Sequence, residues 1–384
     1  MFNPSPKFQA VKSKRRGKIW QLFRATDFES LMYPCFTFCR ILGIFPYKIN
    51  ASTIKICKPC YILSTIVICI FCVYNLISIY DINFAFKSIP RALERNCFHI
   101  FGGFITVITF ILSEPRMRLL QTILNLSLRL PEEAYQNLSK LIHIKDIFGF
   151  ILLVVLESIL LSRAQFDGIL PKILILYIIL LIFQMDMLYM NCVCVLKACF
   201  KQINDSLANL RELMANGEPY LVRGTYYNHR NPFLLMELKI LEKQHLAVSE
   251  AVQMLKTIFS LQLLSTIIMA FFSITIDLYF YLMRIQGDVS MFSLKTMAYV
   301  EGFICKRFTN VTYHVIKMVL IVWACHTGRN QAMEINISVH DVFNSTSDEE
   351  IKYELRLFSL QLMHRKNIFF AEGLIMDATL LKAM

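Results

Sequence analysis

Residues 234–259 read LLMELKILEKQHLAVSEAVQMLKTIF. Leu234, Leu238, Leu241, His245, Val248, Val252, Leu255 and Phe259 recur at alternating spacings of four and three, a heptad seam that packs helix against helix. With neither Gly nor Pro to break it, the same helix enters an apolar stretch, Thr257 to Met283, long enough to cross a bilayer. A helix that joins a bundle at one end and dissolves in lipid at the other implies an all-α membrane protein whose long helices project beyond the bilayer.

The rest of the chain supports this reading. It is 384 residues long, 56% hydrophobic and contains 31 Phe, against an apolar share of about half in a soluble domain. Six complete spans are expected: Pro59 to Tyr80, Asn96 to Ser113, Asp146 to Ser162, Pro171 to Cys199, Thr257 to Met283 and Val311 to His326. The closing stretch, IFFAEGLIMDATLLKAM at 368–384, begins a seventh. The fold class is thus a polytopic helical bundle on a seven-span plan, with the last span incomplete. Its parts are an N-terminal segment (1–58), a membrane bundle with a helical loop at 200–256 (59–326), and anchor helices leading into the seventh span (327–384). In the last part, Ser345 or Ser347 is expected to cap a helix with Ile351, Leu355, Phe358 and Leu362 on one face.

A net charge of +12 raises the question of nucleic acid, but the distribution of the charge answers it. Residues 1–58 hold 11 Lys and Arg against Asp27 and Glu29 alone, which places the N-terminus in the cytoplasm. With that orientation the cytoplasmic segments carry 28 basic residues and the outer loops 7. A multi-pass plasma-membrane protein with a lipid environment is expected, and no nucleic-acid partner. No apolar run occurs in the first twenty residues, so the first span is expected to direct insertion. The segment LMYPCFTFCRILGIFPYKI at 31–49, interrupted by Pro34, Arg40 and Pro46, is expected to form an amphipathic helix on the cytoplasmic side. The sequon at Asn310 lies outside but close to the membrane, and no glycan is expected there.

Enzyme signatures such as GxSxG, Walker A, GxGxxG and HExxH are missing, and no cofactor or metal is expected. Cys57/Cys60 and Cys69/Cys72 have CxxC spacing but no second pair for zinc, and read as small helix-packing residues. Cys97 and Cys305 are the one pair near the outer face, and so the one candidate disulfide. More informative are ionisable groups inside spans, because each costs a few kcal/mol unless it faces a cavity or a partner. These are Glu157, Asp186, Asp277 and Lys317, in the company of His99, Tyr177, Gln184, Tyr279, Tyr281, Tyr313 and His314. From this set His99, Glu157, Tyr177, Gln184, Asp277, Tyr279, Tyr313 and His314 are the candidate ligand-binding residues. They would form an outward-opening aromatic pocket for a small polar molecule. The competing reading is an interfacial Tyr belt with the charges paired to one another.

Phe369, Ala371, Gly373, Asp377, Leu380 and Leu381, in that order and beside the last span, resemble the conserved motif of insect gustatory receptors. RILGIFPYKI at 40–49 also resembles the segment preceding their first span. The resemblance implies a tetrameric ligand-gated cation channel, homomeric or built with other receptor subunits, and a small-molecule tastant of the sugar or bitter class. It further implies an anchor domain joining subunits in the cytoplasm and a central pore lined by the seventh helices. The motif's continuation, TYxxxxxQF, should follow Met384. The chain is therefore expected to be a truncated form that carries little of the pore and, alone, passes no tastant-evoked current. A G-protein-coupled receptor is the first alternative, but it would place the N-terminus outside and show D-R-Y and NPxxY. A secondary transporter is the second, but paired, Gly/Pro-broken halves are not evident.

Overall fold

The computed structural model describes residues 23–50, 53–80, 89–163, 169–216, 232–287, 294–365 and 367–369. Among these, the elements run α1 (Phe28–Ile41), β1 (Tyr47–Asn50), β2 (Thr53–Ile56), α2 (Lys58–Tyr80), α3 (Ile89–Ile111), α4 (Ser113–Ser127), α5 (Glu132–Arg163), α6 (Ile169–Asn216), α7 (Pro232–Gly287), α8 (Leu294–Ser345) and α9 (Glu349–His364). The all-α class expected from the sequence is borne out, with one short hairpin added.

Among the described residues, four helices are long and apolar enough to cross a membrane: α2, α6, α7 and α8. A fifth crossing arises if α3 and α4, bent by 63°, count as one. The bend has a local cause. Pro115 has no N–H, and its ring clashes with the carbonyl four residues back, at Ile111, so α3 cannot continue through it. α5 is not among the four; its apolar part carries Lys145, Asp146 and Glu157.

At a rise of 1.5 Å per residue, the 48, 56 and 52 residues of α6, α7 and α8 extend about 70–85 Å, more than twice a hydrocarbon thickness of about 30 Å. They bundle together well beyond the apolar part. All eight residues of the α7 seam are buried, from Leu234 to Phe259. The α9 face of Ile351, Leu355, Phe358 and Leu362 is buried with them, α9 packing on both α7 and α8. The helix cap is Asp348 rather than Ser345 or Ser347, its carboxylate accepting from the N–H groups of Glu350 and Ile351. α6 is the central helix. Residues 181–196 are buried without interruption, the pattern of a helix surrounded on every side.

The 31–49 segment meets its expectation of an amphipathic helix as far as Ile41 and departs from it beyond. A capping box of Asp27 and Ser30 starts α1, but the helix ends at Ile41, and Gly43 adopts a φ of +71°, open to glycine at no steric cost. Pro46 then disfavours helical geometry at Phe45. From Tyr47 the chain pairs antiparallel with β2, Tyr47 opposite Ile56, burying Tyr47, Ile49 and Ile54. α1 itself lies in the bundle against α5 and α6. The CxxC cysteines also differ from expectation: Cys60 and Cys69 are exposed, and the Cys57 and Cys60 sulfurs are 3.1 Å apart. Cys97 is a free, buried thiol, and the Cys305 side chain lies outside those described.

Candidate ligand site

The middle of α6 places Asp186 where two other helices, α7 and α8, can reach it. Lys317 of α8 approaches its Oδ2 at 3.3 Å. From α7, Gln262 Nε2 and Thr266 Oγ1 donate to Oδ1 at 3.4 and 3.5 Å. A carboxylate in this position is tolerable only with such partners, because desolvating an unpaired charge costs several kcal/mol. Lys317 Nζ also stands 5.5 Å from the ring centre of Tyr313. Glu157 of α5 is within electrostatic reach of Tyr313, and both are buried. Beside them His314 is buried, and no group among the described residues bonds its Nδ1. Tyr313 and His314 thus lie beside the Asp186–Lys317 pair, with Glu157 near Tyr313.

A second polar group forms about 9 Å along α8, six residues before Tyr313. Asp277 of α7 contacts Arg307 of α8 directly and accepts from Asn310 Nδ2 at 2.6 Å. Asn310 also donates to Ser273 Oγ at 2.9 Å. Arg307 reaches Glu94 of α3 at 3.5 Å and lies over the Phe280 ring. The neutralised, cross-linked carboxylate holds α3, α7 and α8 together.

The other expected residues lie elsewhere. His99 faces Asn75 Oδ1 at 3.1 Å, tying α3 to α2. Tyr177 donates to the Leu42 carbonyl at 2.9 Å and stacks on Phe71. Gln184 Nε2 donates to the Cys35 carbonyl at 3.1 Å. Both therefore fasten α6 to α1 and the turn after it. Tyr279 is 44% exposed, and with Tyr281 belongs to the outer face of α7. Of the motif residues, Phe369 is buried, its carbonyl accepting from Tyr189 Oη at 2.8 Å. Ala371, Gly373, Asp377, Leu380 and Leu381 lie outside the described residues.

Gln262, Thr266, Arg307 and Asn310 are the polar partners that sequence reasoning missed. Their signal was present: Gln262, Thr266, Ser273 and Asp277 follow spacings of 4, 7 and 4, a polar stripe on one face of an otherwise apolar helix.

The 7tm chemosensory receptor family model matches residues 32–384. A Drosophila melanogaster protein named as gustatory receptor 28b is 33% identical over 138 residues, covering 35% of this chain and 28% of that protein's length. Among solved structures, the insect olfactory receptor OR5 from Machilis hrabei superposes with a TM-score of 0.63 at 12% identity, over 92% of this chain and 93% of that one. The same receptor in complex with eugenol gives a TM-score of 0.57 at 13% identity, over the same shares.

Proposed function

Because the chain belongs to the 7tm chemosensory receptor family, whose members are receptors and ion channels rather than enzymes, we propose that it is a subunit of a ligand-gated cation channel that detects small soluble tastants at the plasma membrane. The observation that carries this is the polar cluster inside the apolar bundle, where Asp186, Lys317, Gln262 and Thr266 meet beside Tyr313 and His314, with Glu157 near Tyr313. Intramembrane ionisable groups mark ligand or ion sites. A structural relative binds eugenol, a small phenol. In this chain the carboxylates and amides favour a molecule richer in hydroxyls, or a cationic one, of the sugar or bitter class. The basic N-terminal segment stays in the cytoplasm, and the helices below the membrane join four subunits, whether copies or relatives. Ligand binding shifts the bundle between closed and open populations.

The test is electrical. Cells co-expressing this chain with a second gustatory receptor subunit are expected to show a tastant-evoked cation current whose ligand profile depends on this chain. The current should survive a block of G-protein cycling, and an N-terminal tag should stay hidden from antibody on intact cells. A response abolished by the G-protein block, or a tag stained from outside, overturns the reading.

A further inference from the structure

Helix α2 begins on a pair of cysteines whose sulfurs meet. β2 ends at Ile56 and α2 starts at Lys58, so Cys57 is the residue that turns strand into helix. Its backbone is fixed on both sides. The N–H donates to the Pro46 carbonyl at the base of the hairpin at 2.8 Å, and the carbonyl accepts from the Tyr61 N–H at 2.9 Å. The second bond makes Cys57 the N-cap of α2, the position whose side chain faces the free N–H groups of the first turn. Pro59 has no N–H to offer, so it is the Cys60 N–H that meets the Cys57 sulfur. The Cys60 thiol donates to the same sulfur at 3.1 Å.

These contacts favour a thiolate at Cys57. The Cys60 thiol, then the Cys60 N–H, and at longer range Lys48 and Arg40, hold the Cys57 thiol below its usual pKa. The surrounding sequence offers no carboxylate against them: from residue 30 to residue 80 the chain holds Arg40, Lys48, Lys55 and Lys58 and no Asp or Glu. Cys60 is exposed and Cys57 half-buried, so a small reagent can reach the pair. The other CxxC pair, Cys69 and Cys72, has the same spacing but lies within α2, where each N–H is used in the helix ladder. No basic residue lies within ten positions of it.

We propose that Cys57 and Cys60 form a dithiol site that exchanges with small-molecule disulfides of the glutathione class. The Cys57 thiolate attacks one sulfur of oxidised glutathione; a mixed disulfide forms and one glutathione thiolate leaves. Cys60 gives up its proton, attacks the Cys57 sulfur and displaces the second glutathione thiolate. The two thiolates take up the two protons released, so two cysteine thiols are oxidised and one glutathione disulfide is reduced to two thiols. The sulfurs need approach by only about 1 Å to reach bonding distance. The bond closes a very short loop at an exposed helix start, where it adds little constraint and a reducing pool can reopen it. This chemistry rests on neither the ligand nor the orientation proposed above.

The whole chain in detergent is equilibrated with glutathione buffers from fully reduced to fully oxidised, quenched with N-ethylmaleimide and cut with chymotrypsin. The peptide 48–61 contains Cys57 and Cys60 and no other cysteine. It is expected to lose two hydrogens at a reduced-to-oxidised ratio at least about tenfold higher than the ratio that oxidises Cys69 and Cys72. Cys60→Ser, at an exposed position that leaves folding intact, should stop the reaction with one glutathione on Cys57. Cys57→Ser should slow glutathione transfer to Cys60 at least about fivefold relative to transfer to Cys57. A pair that stays reduced in oxidised glutathione alone, or a native chain that keeps glutathione on Cys57 without releasing it, overturns the proposal. A hydroxylamine-sensitive acyl group on Cys60 of the chain purified from cells overturns it in favour of a lipid-modified thiol.

Discussion

Asp186 on α6 and Lys317 on α8 face each other at 3.3 Å with side chains 0% and 3% exposed. Lys317→Met leaves the carboxylate with only the long hydrogen bonds from Gln262 and Thr266, and should destabilise the protein by about 3–5 kcal/mol. The double variant Asp186→Leu/Lys317→Met removes both charges and should recover most of that loss, since apolar replacements of buried pairs are often neutral. Thermal unfolding of the four proteins in detergent closes the cycle. If the double variant loses as much as the two single ones added together, the residues do not act as a pair.

Asn310 lies in an N-x-T sequon, yet its Nδ2, the atom a glycan modifies, is held by Asp277 and Ser273. The mature protein should show no glycosidase-sensitive mobility shift from this position, and a shift lost in Asn310→Gln would contradict the packing of α7 on α8. Asp277→Ala should cost about 2–3 kcal/mol, less than a fully orphaned charge, because Glu94 remains 3.5 Å from Arg307. It should also shift the ligand dose-response.

His245 makes stability depend on pH. It is buried between α7 and α9 in the part of α7 below the apolar span, with Gln361 Nε2 2.9 Å from its Nδ1. Burial, aided by Arg365, lowers its pKa from 6.5 to about 4. The unfolded chain takes up a proton below pH 6.5 that the folded chain refuses until about pH 4. Stability is therefore complete above the unfolded value and falls as pH drops through this window, by up to about 3 kcal/mol. Melting temperatures measured from pH 7 to 4 should fall more steeply for the native chain than for His245→Gln. Parallel curves would assign the slope to another group.

Phe369 is held five residues beyond the end of α9. Phe369→Ala should cost about 3–5 kcal/mol and Tyr189→Phe about 1 kcal/mol. A Cβ on Gly328 would meet the Phe369 ring at 3.0 Å and Val193 Cγ1 at 3.2 Å, so Gly328→Val should cost about 1–3 kcal/mol. Denaturant midpoints in that order check the arrangement; a neutral Gly328→Val would mean that the ring yields easily.

What could be read from the sequence was what periodicity and residue type carry. The α7 seam and the α9 face are buried as a 3.5-residue repeat requires, and Asp186, Asp277 and Lys317 stood out simply as charges among apolar neighbours. What could not be read was who meets whom. Nothing at Cys35 or Leu42 announces that Gln184 and Tyr177, some 135 to 149 residues later, will bond their carbonyls. The hairpin escaped notice because Gly43 and Pro46 look like interruptions in an apolar helix, when together they end it. Arg307 was counted among outer-loop cations, yet α8 begins at Leu294 and carries it into the bundle.

The 56 residues of α7 have a mechanical meaning as well. Asp277, near one end, is clamped to α3 and α8, while His245, some 32 residues away, is locked to α9. The 32 residues between them span about 48 Å, so a pivot of about 3° at one end moves the other sideways by about 2.5 Å. Repacking one side chain at the Asp277 end is thus geared up into a stroke at the His245 end, and no hinge lies between them to absorb it.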